Sequence, residues 1–168
     1  TGDKVCAQSH DAAGLGEIAA RFARKPVLWD NYPVNAGARG SNFLRVDAFR
    51  GRGSELAGLT QAHFVNPMNQ CWLSRLALQS LALLYQQGPA YDADAAFAQC
   101  TLAQCGEALA AALAADLDAL QHEGLSALSG ARLAQMRARY AAFRSPFAQE
   151  ICDWLNGGYA FDPACLTD

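Results

Sequence analysis

Trp29 and Asn31 stand two residues apart at the end of a short apolar run, Val27-Leu28-Trp29, and Asn66 closes a second run, Ala62-His63-Phe64-Val65. An amide side chain offers both donors and acceptors, which suits hydroxyl and acetamido groups alike. An indole beside it supplies an apolar wall for a sugar ring. In a strand, successive side chains alternate faces, so Val27, Trp29 and Asn31 share one face while Leu28 and Asp30 share the other. If Trp29 and Asn31 face a pocket, Asp30 points into the supporting layer and ties down the loop. Carbohydrate binding is one of several uses these residue types allow. The plainer alternative is that the asparagines hydrogen-bond their own turns.

Two short strands are needed to hold these side chains. Pro26 opens the first run, and residues 32–41, rich in Gly, Pro and Asn, read as a loop after it. Polar residues collected at the carboxyl end of a buried parallel strand are where α/β folds place ligand sites. A helix is expected over about residues 14–24, with Leu15, Ile18, Ala19 and Phe22 on one face. Residues 1–5 read as the tail of a strand, residues 43–46 as a short extended piece, and residues 54–56 as the start of a helical turn. Ala62–Val65 is the second strand, ended by Asn66-Pro67. A helix over about 69–85 follows, with Trp72, Leu73, Leu76, Leu78, Leu81, Leu83 and Leu84 around most of its circumference, so it should be buried on more than one side. Strand, helix, strand, helix in alternation implies a parallel sheet with crossovers. From about residue 90 the pattern becomes helical throughout. Asp92 or Asp94 can cap the first helix, and apolar stripes follow at Leu109, Leu113, Leu117 and Leu120, at Leu133, Met136, Tyr140 and Phe143, and at Phe147, Ile151, Trp154 and Leu155. Such stripes with polar backs describe an antiparallel bundle.

Composition narrows the function classes. A 168-residue chain with 52% hydrophobic and 17% charged residues can bury a sizeable core. Its net charge of −3 and lack of a basic run argue against nucleic acid as a partner. No apolar stretch reaches the roughly 18 residues that a membrane-spanning helix needs, so no membrane partner is expected. The six cysteines (Cys6, Cys71, Cys100, Cys105, Cys152 and Cys165) form no C-x-x-C pair, and His10, His63 and His122 lack ligand spacing. These are read as reduced thiols, without a zinc site, and no metal or organic cofactor is implied. Thr1-Gly2-Asp3-Lys4-Val5 has neither a methionine nor a cleavable leader. The chain is therefore expected to begin inside a larger protein. The compartment cannot be read from such an end, with the balance towards the cytoplasm.

The run Lys25-Pro26-Val27-Leu28-Trp29-Asp30-Asn31-Tyr32-Pro33-Val34-Asn35 closely resembles the W-D-N-Y-P-V-N-D signature of glycoside hydrolase family 84, the β-N-acetylglucosaminidases that include protein O-GlcNAcases and enzymes formerly called hyaluronidases. Thr1-Gly2-Asp3-Lys4-Val5 is similar to the family's T-G-x-K-V, and Gly51-Arg52 and Asn66-Pro67-Met68-Asn69-Gln70 match later landmarks in the same order. The resemblance covers about residues 1–90. It implies the C-terminal part of a (β/α)8 TIM barrel over residues 1–88, incomplete because a whole barrel takes roughly 250 residues, followed by an α-helical bundle domain over residues 89–168. Thr1–Val5, Val27–Trp29 and Ala62–Val65 would be its last three strands.

It also implies retaining hydrolysis of terminal N-acetylglucosamine with the substrate's own acetamide as nucleophile, one of the exceptions to the usual two-carboxylate scheme. The adjacent aspartates that assist it are not here, since no Asp-Asp pair occurs in the sequence. No catalytic residue is therefore expected in this chain, and the isolated chain should be inactive. What the resemblance carries over is substrate binding: Val5 beside the acetamide, Trp29 as the pocket tryptophan, and Asn31 and Asn66 hydrogen-bonding the sugar. Ala36 departs from it, standing where the family has an aspartate that accepts sugar hydroxyls; Asp47 and Arg39 are the nearest polar residues in sequence. The implied partners are an N-acetylglucosamine-containing glycan or glycoprotein and the missing N-terminal part of the same protein. A non-catalytic sugar-binding or scaffold module derived from that barrel is the second reading.

Overall fold

The computed structural model describes residues 4–165. Strand β1 (Val27–Asp30) pairs in parallel with β2 (Ala62–Val65), with Leu28 opposite His63, Trp29 opposite Phe64 and Asp30 opposite Val65. The Gln61 N–H donates to the Pro26 carbonyl at one end, and the Asn66 N–H donates to the Asp30 carbonyl at the other. β1 alternates as a strand with one wet face must: Val27 and Trp29 are about half exposed, while Leu28 and Asp30 are buried.

Helices make up most of the rest. α1 (Ala12–Phe22) is capped by Asp11, whose carboxylate accepts from the Ala13 and Gly14 N–H groups. Only Leu15 of its expected apolar face is buried; Ile18 and Phe22 stay exposed. The single-turn helices α2 (Gly37–Gly40) and α3 (Leu56–Leu59) lie in the connection between the strands. Residues 43–46 form no strand, yet Leu44 and Val46 are fully buried.

α4 (Cys71–Gln87) divides the molecule. Leu73, Leu76 and Leu83 enter a large core with the later helices, while Ala77 and Leu81 pack on Phe49 towards the sheet side. Burial on two sides accounts for a helix apolar around most of its girth. Gln70, just before it, makes no capping bond. Instead the Glu150 carboxylate, from another helix, accepts from the Trp72 and Leu73 N–H groups at 3.0 and 2.9 Å, satisfying orphan donors of the first turn.

α5 (Ala93–Cys105) is capped by Asp92. α6 (Glu107–Asp118) runs on into a π-helical stretch at Ala119–Glu123, and α7 (Gly130–Ala141) and α8 (Pro146–Leu155) follow. The wide π turn presents the Leu120 carbonyl to the Leu44 N–H (2.9 Å) and the Gln121 Oε1 to the Asp47 N–H (3.3 Å). Leu109, Leu113, Leu120, Met136, Tyr140, Phe147, Ile151 and Trp154 form one core with Leu44, Val46, Leu73 and Leu76. Residues on both sides of position 88 thus share it.

This architecture corrects the expected fold class. The described residues form a helical domain with two four-residue strands, not the C-terminal fragment of a TIM barrel followed by a bundle. Val27–Trp29 and Ala62–Val65 are strands, as their apolar runs suggest, but among the described residues they pair only with each other. Their outward side chains, Val27, Trp29 and Phe64, are all more than half exposed, so the alternation of a half-buried pair replaces the two-sided burial expected of barrel strands. The third expected strand fails where it can be seen: Thr1, Gly2 and Asp3 lie outside the described residues, and Lys4 and Val5 sit in a bend and turn. Short apolar runs carry no information about how many strands join them. Cys6, Cys71, Cys100, Cys105 and Cys152 are free thiols, and burial pushes Cys100 and Cys105 up to about 11. Among the described residues no helix is long and apolar enough to cross a membrane, and no cluster of His, Cys, Asp and Glu could hold a metal ion.

Candidate functional site

The end of β1 places two consecutive polar side chains on opposite faces, and each gathers partners. On the open face Asn31 is the hub. Its Oδ1 accepts from the Trp29 Nε1–H at 3.0 Å and from the Asn66 Nδ2–H at 3.2 Å, and its Nδ2 donates to the Val5 carbonyl at 2.6 Å. Trp29, Asn31, Asn66 and Val5, singled out separately in the sequence, therefore meet in one hydrogen-bonded group. Val5 takes part through its backbone oxygen, its side chain being 72% exposed. The Trp29 ring is half exposed next to Phe64 on the neighbouring strand.

Counting valences shows what this group keeps for a ligand. Asn31 spends both acceptor sites and one amide hydrogen internally, which leaves it one donor. Among the described residues nothing hydrogen-bonds the Asn66 Oδ1, so that oxygen and the second Asn66 amide hydrogen remain available. One open donor on Asn31, a donor and acceptor on Asn66 and an exposed indole face suit a polyhydroxylated or acetamido-bearing ring. Among the described residues no carboxylate or hydroxyl hydrogen-bonds this group.

On the inner face Asp30 is the hub, 1% exposed. Arg52 grips it with two hydrogen bonds, Nε to Oδ2 at 2.8 Å and an Nη to Oδ1 at 2.6 Å. His63 Nε2 lies 3.2 Å and His10 Nε2 3.4 Å from the same Oδ2, and the other His63 nitrogen meets the Tyr85 hydroxyl at 2.7 Å. Burial by itself would raise the Asp30 carboxyl, but the hydrogen bonds from Arg52 and His63 outweigh it and hold that carboxyl well below the usual range. Burial, helped by the Arg52 charge, lowers His10 against the pull of Asp30.

The loop after β1 is anchored separately. Asn35 is buried; its Nδ2 donates to the Phe43 carbonyl and the Gln70 Oε1, and its Oδ1 accepts from the Asn69 N–H. Tyr32, joined to Pro33 by a cis peptide, donates its hydroxyl to the Asp47 carbonyl at 2.7 Å. Ala36 is exposed at the N-cap of α2, where no side chain caps the turn. Neither polar neighbour is shown taking its place: the Asp47 carboxylate is spent on the Arg50 guanidinium and the Ala48 N–H, and Arg39 is exposed at the surface. A hollow of about 290 Å³ beside Ser41, Asn42 and Trp154 lies away from Asn31. Its polar groups are used locally, with Trp154 Nε1 donating to the Ser41 carbonyl and Asn42 Oδ1 accepting from the Ser126 N–H.

Arg52, His63, His10 and Tyr85 are absent from the sequence reading as site residues. Gly51-Arg52 stands out there only as a landmark, and the histidines only as residues without metal-ligand spacing. The usable signal was parity: with the strands in register, His63 faces the same side as Asp30.

A model of the β-N-acetylglucosaminidase family matches residues 1–118. Two solved structures share the fold. One is a substituted form of the O-GlcNAc hydrolase of Thermobaculum terrenum, 24% identical with a TM-score of 0.70, the match covering 95% of this chain and 40% of that one. The other, CpGH84B, is 15% identical with a TM-score of 0.60, covering 93% and 33% respectively. The chain thus spans well under half the length of either. No curated protein sequence matches it. With a family match over more than two thirds of its length, and with the signature residues gathered at one strand end, this chain belongs to the β-N-acetylglucosaminidase family.

Proposed function

We propose that this chain supplies the sugar-binding wall of a retaining β-N-acetylglucosaminidase that removes terminal N-acetylglucosamine from a glycan or glycoprotein by substrate-assisted catalysis. The observation that carries this reading is the Asn31 group. Four positions that match the family's sugar contacts converge on one amide, beside an exposed indole and with hydrogen-bonding valences left over. In this reading the indole of Trp29 covers the apolar face of the ring, Asn31 donates to a ring substituent, and Asn66 both donates and accepts. The resemblance to an O-GlcNAc hydrolase makes O-linked N-acetylglucosamine on protein a natural substrate class.

The acid and base chemistry belongs to residues this sequence does not contain. No two aspartates are adjacent in it, and Asp92 and Asp94 lie at the start of α5. The 168 residues alone are therefore expected to release no chromophore from a chromogenic N-acetylglucosaminide. Within the intact protein, Asn31→Ala is expected to raise KM for a chromogenic N-acetylglucosaminide by about tenfold, the worth of the one hydrogen bond its free donor can make. Unchanged kinetic constants would remove Asn31 from the site. The second reading, a sugar-binding or scaffold module without turnover, draws its support from Ala36, where a hydroxyl-accepting carboxylate is missing. It predicts N-acetylglucosamine binding by the intact protein with no release of chromophore.

A further inference from the structure

Asn31 and Asp30 are neighbours in sequence, and their side chains tie together the same three segments from opposite sides of the sheet. On the open side, Asn31 joins β1 to the Val5 carbonyl in the N-terminal segment and to Asn66 at the end of β2. On the buried side, Asp30 is bonded to Arg52, and Arg52 reaches that N-terminal segment through the carbonyls of Gln8 at 2.7 Å and Ala7 at 3.2 Å. Asp30 also meets His63, three residues before Asn66 on β2.

We propose that Arg52 and His63 are positioning residues of the site, setting from beneath, through Asp30, the separations among Val5, Asn31 and Asn66. The inference rests on the sugar-binding reading of the Asn31 group.

The geometry suits the task. The Arg52 side chain is 4% exposed, its charge neutralised by Asp30 and its remaining donors spent on the Gln8, Ala7 and Arg50 carbonyls. Its guanidinium carbon lies 5.8 Å from the Tyr32 ring and 5.6 Å from the Phe49 ring, so it has little room to swing. A planar fork held at both ends transmits position better than a flexible ammonium would. Gly51 makes the approach feasible: its φ is +68°, its carbonyl accepts from the His10 N–H, and a Cβ there would come within 2.5 Å of the Gln8 oxygen. His63 is fixed from its other nitrogen by the Tyr85 hydroxyl. A shift of the N-terminal segment or of β2 would be felt first at the Val5 and Asn66 bonds to Asn31.

The test reads the indole of Trp29, which donates to Asn31. Intact protein is labelled with indole-15N tryptophan, and Trp29→Phe and Trp154→Phe identify their own indole N–H peaks. Arg52→Lys and His63→Gln are each expected to shift or broaden the Trp29 peak. The Trp154 peak, from an indole that donates to the Ser41 carbonyl, should stay in place and report an intact helical core. Arg132→Met, which breaks an ion pair in the helical region, should leave the Trp29 peak unmoved. With a chromogenic N-acetylglucosaminide, Arg52→Lys should lower kcat/KM about 10- to 100-fold, the scale expected of a small misplacement, while Arg132→Met stays at the wild-type value. A Trp29 peak at its wild-type position in both Arg52→Lys and His63→Gln overturns the proposal, whatever the rates. The peak is read without sugar. Its movement together with unaltered Asn31→Ala kinetics would therefore keep the positioning role and remove the sugar site.

Discussion

Two buried aspartates, Asp30 under the sheet and Asp116 in the helical region, are both held by arginine, yet they do different work. Asp116 is fully buried, and its oxygens accept from Arg132 at 2.7 Å and Arg139 at 2.6 Å. Both arginines stand on α7, two turns apart, so the pair clamps one helix to another. Their side chains remain 37% and 29% exposed. Asp30 has one arginine, itself buried, and that arginine continues into backbone carbonyls of a third segment. The same carboxylate–guanidinium chemistry thus serves as a staple between regular elements in one place and as the hub of irregular segments in the other. Helices need little help to hold their shape once their apolar faces are packed. The loops around Asn31 have few backbone hydrogen bonds of their own, so side chains must define them.

The difference predicts unequal responses to mutation. Arg52→Met strands a carboxylate with no route to water and should destabilise the protein by about 3–5 kcal/mol in urea unfolding. A loss below about 1 kcal/mol would equate the two aspartates. Gly51→Ala should come next, by a different cause: an L side chain at positive φ pressed against the Gln8 backbone should cost about 1–3 kcal/mol.

Asp116→Asn should cost less than Arg52→Met, about 1–2 kcal/mol, because both arginines can turn to solvent and keep their hydration. Added salt should shrink that loss and leave the Arg52→Met loss nearly unchanged.

Acid should separate the regions further. The folded Asp30 carboxyl lies below its unfolded value, so its stabilisation is complete above an unfolded pKa of about 3.9 and is lost as pH falls from there towards the folded value. His10 is lowered too, so the unfolded chain takes up that proton first. Stability should already begin to fall below an unfolded histidine pKa of about 6.5. His10→Gln should flatten the slope between those two values in a pH series of unfolding midpoints, and an unaltered slope would count against it.

The smallest effect is expected at the rim. Ala36→Asp places a carboxylate where the family resemblance expects one and supplies a cap for α2. It should tighten N-acetylglucosamine binding by the intact protein about tenfold in competition assays, with little change in stability. Weaker binding would show that this family member holds its sugar without that contact.

Much of the Asn31 hydrogen-bonded group was legible in the sequence because strand alternation is local. Two apolar runs, each with an asparagine at or just beyond its end, and strict alternation were enough to put Trp29 with Asn31 and to turn Asp30 inward. Helix positions were likewise visible from capping residues and from stripes at a period of 3.6, and Asp92, Leu113 and Trp154 fall where those patterns place them. Where local pattern misled, the missing information was about partners. The face of α1 through Ile18 and Phe22 has the right spacing for burial, but only Leu15 reaches a core, with Leu28 and Leu56. The barrel expectation failed for the same reason, since an apolar run does not state what lies beside it.

By itself the sequence determined the two strands, most of the longer helices, the alternation along β1 and the family, because these depend on short spacings along the chain. Tertiary structure alone decided that Arg52, His10 and His63 converge on Asp30, that Glu150 caps α4 from 79 residues away from Cys71, and that two strands stand with one face open. Those contacts join residues far apart in the chain. Their geometry exists only once the loops between them have closed.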